Sequence, residues 1–219
     1  MSERRNGTKR SLLAQERSRD TRQAIIRAAL ELWRERSSVG APDDPTAEEI
    51  ADRAGVSKAT FYLHFARKDD ILLETAFVTT KVFYEDAVQA LLAGGPLDDI
   101  LDDMTVRLCR RIQSVPRLVL QRMLRAQISV RVPGPRQDDA ERFGFDRGFA
   151  IVFLHAQQAG DLPQTLPSAD LGRMFEAMLY ESMREWAYAE AGDLLPMLRT
   201  RFAVLLAGAR AVTPADLAR

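Results

Sequence analysis

The chain is poor in the residues that most catalysis and cross-linking need. Its 219 residues include one cysteine, Cys109, and two histidines, His64 and His155. One cysteine excludes an internal disulfide and fits a reducing, cytoplasmic setting. Neither histidine has a Cys, His, Asp or Glu neighbour at metal-ligand spacing. No glycine-rich phosphate loop and no nucleophile motif is present. The expectation is a protein with no catalytic residue, no metal and no cofactor. Asp98-Asp99 and Asp102-Asp103, an acidic ridge at helical spacing, read as the solvated face of a helix N-terminus. Long apolar runs are missing as well. The run over residues 202–208 falls far short of the roughly 20 residues of a membrane span. The basic N-terminus is not followed by the apolar stretch of a secretory signal. Net charge is also lacking, at zero.

The zero hides an asymmetry. Residues 1–68 hold 14 Lys/Arg against 10 Asp/Glu, while residues 69–219 hold 17 against 21. A basic head on an acidic body has the form of an electrostatic footprint for nucleic acid. Residues 1–19 read as a basic, disordered arm, either a solvated tail or an arm along DNA phosphates. A first helix is expected from Asp20, its cap, with Gln23 as capping-box partner. Its apolar face would be Ala24, Ile25, Ala28, Ala29, Leu32 and Trp33. The pattern fails at Ser37–Gly40, and Pro42 and Pro45 bracket an acidic loop.

Thr46-Ala-Glu-Glu49 is a capping box opening a short helix over 47–54. Gly55 stands where the chain must take a positive φ, Val56 follows as a buried plug, and Ser57 caps a third helix to about Phe65. Helix, glycine-containing turn, helix is the helix-turn-helix layout. On the third helix Phe61 and Phe65 pair inward, leaving Lys58, Ala59, Thr60 and Leu63 outward. Small Ala59 admits the helix to a major groove. Lys58 suits guanine or phosphate, and the methyls of Ala59 and Thr60 suit thymine. Ser57, Tyr62, His64 and Lys68 can donate to phosphates, and Thr46 opens a helix whose free N–H groups favour an anion.

From Lys68 onward only helical patterns follow: 71–92, 97–113, 116–130, 138–159, 168–191 and 194–211. Gly94-Gly95-Pro96 and Pro133-Gly134-Pro135 are breaks, and Ser168 and Asp193 are caps. The fold class is all-α, about nine helices: an arm (1–19), a three-helix head (20–66) and a larger helical bundle (67–219).

The residues Thr46, Ile50-Ala51, the run from Ala54 to Phe65, then Lys68-Asp69 and Leu72 resemble the DNA-binding signature of the TetR family of bacterial regulators, closely over about residues 22–73. The resemblance implies a homodimer on palindromic operator DNA, with Lys58, Ala59 and Thr60 at base edges and Ser57, Tyr62, His64, Lys68 and Thr46 at phosphates. It also implies a small-molecule pocket in the body. Phe77, Met104, Met123, His155, Tyr180 and Trp186 are the candidate lining, because aromatic and Met side chains suit an apolar site. The last two long helices would pair across the dimer, with Phe175, Leu179, Met183, Phe202 and Leu206 as candidate interface. Ala203, Ala207 and Gly208 would permit close approach. Two departures stand out. The loop at 37–45 is longer than the family's turn, and Arg67 replaces a Ser cap. The expected function is transcriptional repression relieved by a small effector. The alternative is a DNA-binding dimer whose body binds a protein partner or no ligand.

Overall fold

The computed structural model describes residues 2–38, 44–130, 144–189 and 192–217, and among these every regular element is a helix. The chain divides into two compact units, Met1–Thr75 and Ala76–Arg219.

The first unit holds α1 (Ser2–Ser38), α2 (Ala47–Arg53), α3 (Lys58–His64) and the first turns of α4 (Asp69–Ala93). α1 corrects two expectations. Residues 2–19 are helical instead of forming a disordered arm, and Asp20 and Gln23 lie inside the helix instead of capping it. A polar composition rules out a buried face, not a helix. The arm has no proline and is rich in Arg, Leu, Glu and Lys, so extending an anchored helix adds one backbone bond per residue without a new nucleus. Downstream, Ile25, Ala28, Ala29, Leu32 and Trp33 are buried, as their spacing requires. They share the head's apolar interior with Ile50, Ala51, Phe61, Phe65, Ile71 and Leu72. Because Ile71 and Leu72 belong to that interior, the division by packing falls inside α4 and not ahead of it. Residues 39–43, most of the long loop, lie outside the described residues.

The second unit contains the rest of α4, α5 (Leu97–Gln113), α6 (Arg117–Val130), α7 (Phe145–Ala159), α8 (Ser168–Tyr188), α9 (Leu194–Ala211) and a short α10 (Pro214–Leu217). The Pro133–Pro135 break and the expected start of α7 at 138 lie outside the described residues. Six phenylalanines fill the centre: Phe83, Phe145, Phe149, Phe153, Phe175 and Phe202. Phe153 and Phe175 have ring centroids 4.7 Å apart, and Phe175 and Phe202 4.9 Å. α7 and α8 meet with almost no gap. A Cβ added at Gly172 would lie 2.4 Å from the Asp146 carbonyl oxygen and 3.1 Å from Ala150 Cβ. α7 has no side-chain cap of its own at Gly144. Glu176 of α8 stands in, its Oε1 accepting from Phe145 N–H at 3.0 Å.

The acidic ridge of α5 is exposed, in keeping with its reading as a solvated face, and two of its carboxylates also hold ion pairs with α9. Arg199 of α9 donates to both oxygens of Asp102 at 2.6 and 2.7 Å, and Arg210 to both of Asp98 at 3.1 and 2.5 Å. Asp193 caps α9, accepting from Leu195 N–H at 3.1 Å, whereas Ser168 is the first residue of α8 and makes no cap. Among the described residues no helix is long and apolar enough to cross a membrane.

Candidate nucleic-acid interface

The head's reading surface is built from short-range rules. Thr46 Oγ1 accepts from Glu49 N–H at 3.2 Å while Glu49 Oε2 accepts from Thr46 N–H at 2.7 Å, a complete capping box for α2. Gly55, at φ 70°, reverses the chain where a side chain would be strained. Ser57 Oγ accepts from Thr60 N–H at 3.1 Å and starts α3. Phe61 and Phe65 are buried, 6.1 Å between ring centroids, and fix which side of α3 faces outward. Val56 is only half buried, so the plug at this turn is shallower than expected.

On the outward side Lys58, Ala59 and Tyr62 are exposed, Thr60 and His64 are half-buried, and Leu63 stands 83% exposed. That much accessible Leu on a seven-residue helix puts an apolar side chain beside the candidate base-reading positions. The helical wheel had turned Leu63 outward without marking it as a contact. The Ser57 and Thr60 hydroxyls lie 2.8 Å apart and satisfy each other. Both donors of Thr46, its N–H and its hydroxyl, go to Glu49. With Glu48 and Glu49 in its first turn, the start of α2 is less hospitable to an anion than its position suggested.

The candidate cations are held by carboxylates. Lys58 is paired with Glu48, and Lys68 Nζ lies 3.0 Å from Asp44 Oδ2. Hydrogen bonding to Lys58 holds the Glu48 carboxyl below the usual range, and the same contact holds Lys58 above its own. Asp44 also accepts from Trp33 Nε1 at 3.1 Å, so Lys68 and α1 share one acceptor. Arg53 grips Glu35 at 2.8 and 3.0 Å. Arg67 cannot cap with its side chain. Instead its N–H donates to Asp70 Oδ2 at 2.9 Å, which supplies the reverse half of a capping box to α4.

One structural residue of the head escaped the sequence reading. Arg22 donates from Nη2 and Nε to Glu74 at 3.0 and 3.3 Å, from Nη1 to the His64 carbonyl at 2.7 Å, and lies 4.2 Å over the Phe65 ring. It ties α1, the end of α3 and the start of α4 together. Its signal was a charged residue on the same helical face as Ile25 and Ala29.

In the body, the residues expected to line a pocket do not share one environment. Met104, Met123 and Trp186 are buried, Phe77 and Tyr180 half-buried, and His155 is exposed on α7. Exposure removes His155 from any enclosed site within one chain. Trp186 is committed to structure, donating from Nε1 to the Gly192 carbonyl at 3.1 Å beneath the Arg117 guanidinium. The five expected interface residues, Phe175, Leu179, Met183, Phe202 and Leu206, are all buried in this chain's own core. Their apolar stripe packs within the single chain, so none of the five presents a free apolar surface to a second copy. Burial pushes the Cys109 thiol up to about 12, so it is inert at neutral pH. Among the described residues no group of three or more His, Cys, Asp or Glu is placed to hold a metal.

A capped short helix, a positive-φ glycine, and a second capped helix with an outward face of Lys, Ala, Thr and Tyr define a helix-turn-helix protein. Residues 25–75 match the family model described as "Bacterial regulatory proteins, tetR family", a match confined to the head and the start of α4. Among solved structures, the Thermus thermophilus FadR, a TetR-family transcriptional repressor in complex with lauroyl-CoA, is 25% identical. It has a TM-score of 0.69 and covers 88% of this chain and 95% of its own. RolR in complex with resorcinol (14% identity, TM-score 0.60, 92% of both chains) shares the fold. So does the fatty acid degradation regulator FadR from Bacillus halodurans (18%, 0.56, 87% of this chain and 96% of its own). No curated protein matches the chain.

Proposed function

We propose that the protein is a homodimeric repressor that leaves a palindromic operator when a small effector binds its body. The outward face of α3 carries this reading: Lys58, Ala59 and Thr60 for base edges, with Ser57, Tyr62, His64 and Lys68 around them for phosphates, all oriented by buried Phe61 and Phe65. Thr46 belongs to this set by position, although its donors are engaged in the capping box. Dimerisation falls to the faces of α8 and α9 that the core leaves open. On α9 these are Ala203, Val204, Ala207 and Gly208, and on α8 Met174 and Ala177. Small side chains there let two helices approach closely.

The effector is a ligand of the body, and Phe77, Met104, Met123 and Tyr180 are the positions to vary in search of it. A long-chain acyl-CoA is the first compound to test, on the strength of the Thermus relative alone. To move the protein from mostly bound to mostly free, an effector needs about 5.5 kcal/mol of preference for the released state.

The test is selection of bound sequences from random duplex DNA, repeated with a Lys58→Ala, Tyr62→Ala variant. The expected result is an enriched inverted repeat that the variant binds weakly and that acyl-CoA releases. If no sequence is enriched, the repressor reading fails. If a repeat is enriched but no small molecule releases it, the body binds a protein partner or no ligand.

A further inference from the structure

Both lysines assigned to DNA are neutralised within the head, by carboxylates from one short acidic stretch. Lys68 meets Asp44, which is also fixed by Trp33, so that pair is part of the scaffold. Lys58 is different. It is the first residue of the reading helix, its partner Glu48 lies in the first turn of α2, and both side chains are about half exposed, at 57% and 50%. Neighbouring Glu49 is committed to Thr46 and Arg36. Among the described residues Lys58 is the one side chain that Glu48 pairs with. A carboxylate therefore occupies the place that a phosphate oxygen or a guanine acceptor must take before Lys58 can contribute to binding.

We infer that Glu48 is an internal competitor of DNA for Lys58, a positioning residue that holds the lysine at the start of α3 and weakens the head's grip on any duplex. The inference rests on the reading of α3 as the DNA-reading helix. Binding then exchanges one ion pair for another. An exposed pair is worth little in water, so the exchange is easy, but it is not free. Freed Glu48 recruits screening cations as Lys58 releases one from DNA, so the parent's salt dependence at this contact is blunted.

The experiment uses the full chain and an unselected duplex at about 50 mM salt, so it does not depend on an operator having been found. Affinity and its salt slope are measured for the parent, Glu48→Gln, Lys58→Ala and the double variant, with Glu48→Ala as a second removal and thermal midpoints as a folding check. Glu48→Gln is expected to bind about threefold to tenfold tighter, with a slope steeper by up to about one unit. In the Lys58→Ala background the same change should do almost nothing, because the lysine it acts through is gone. Equal affinity of Glu48→Gln and parent overturns the inference. So does a gain that persists without Lys58, which would mean simple repulsion between Glu48 and phosphates, and so does a Lys58→Ala variant that binds like the parent. The failure of the repressor reading is a separate result, read from the absence of a preferred sequence in the selection.

Discussion

At the scale of single residues, the head depends on Arg22 as much as on its apolar interior. A guanidinium that serves a carboxylate, a backbone carbonyl and an aromatic face at once cannot be replaced by an ammonium, which lacks the planar fork. Arg22→Ala removes a pair whose Arg and Glu74 side chains are 36% and 32% exposed, so screening limits the Coulomb part. The larger loss is the bond to the His64 carbonyl and the contact on Phe65, which together orient the end of α3. Arg22→Ala is expected to destabilise the head by about 1–2 kcal/mol, and Arg22→Lys to recover less than half of that. Chemical denaturation followed by helicity measures both. A Lys variant as stable as the parent would show that charge alone matters at this position.

At the scale of elements, the sequence announced what is local and hid what is not. The α2 capping box, Gly55, the Ser57 cap, the span of α5 and the Asp193 cap are set by neighbours within four residues, and each stands where its signature placed it. The partner of an apolar or charged stripe is a tertiary fact. Phe175 and Phe202 could face a core or a second subunit with identical spacing. Asp98 and Asp102 could face water or the α9 arginines. Even some local signals were passed over. Asp216 supplies the reverse half of a capping box at the start of α10, accepting at Oδ2 from Thr213 N–H at 2.9 Å and from the Thr213 hydroxyl at 2.6 Å. The α7–α8 contact is an example of hidden long-range information, because nothing near Gly172 in sequence says that a backbone carbonyl from α7 lies against it. Gly172→Ala must push α7 and α8 apart, and its expected cost is about 1–3 kcal/mol despite better helix propensity. A thermal midpoint above the parent's would show that the gap can open freely. The α5–α9 pairs predict an acid limit. Arg210 and Arg199 hold the carboxyls of Asp98 and Asp102 below their usual range, first by hydrogen bonding. A folded-state value below the unfolded one means that this stabilisation is present above about pH 4 and is lost as pH falls through the folded value. The pairs are half exposed, so each contributes at most about 1 kcal/mol. Asp98→Asn, Asp102→Asn should lower the thermal midpoint by a few degrees at pH 7, and the difference from the parent should vanish near pH 2.

At the scale of the whole molecule, symmetry decides what the reading head can recognise. A single seven-residue helix touches only a few base pairs, and this is why the proposed repressor is a dimer with two heads on one operator. Identical heads related by a two-fold axis require an inverted repeat, with half-site centres about 34–36 Å apart for a simple dimer. The surface that joins two copies cannot be the one that fills the core of each, and on α9 what remains outward is Ala203, Val204 (68% exposed), Ala207 and Gly208. A Cβ added at Gly208 meets no atom within 4 Å in the single chain, so a side chain there does not disturb the folded subunit. Gly208→Arg therefore separates assembly from folding. It places a charged, bulky group where a partner helix must come close, while the helix that carries it gains propensity. The expected outcome is unchanged helicity, a halved mass in light scattering, and operator affinity reduced by about a hundredfold or more, because the second head no longer binds at high effective concentration. If Gly208→Arg leaves the protein dimeric and its operator affinity intact, the joining surface lies elsewhere on the body, and the outward α9 face is ordinary solvent-facing helix.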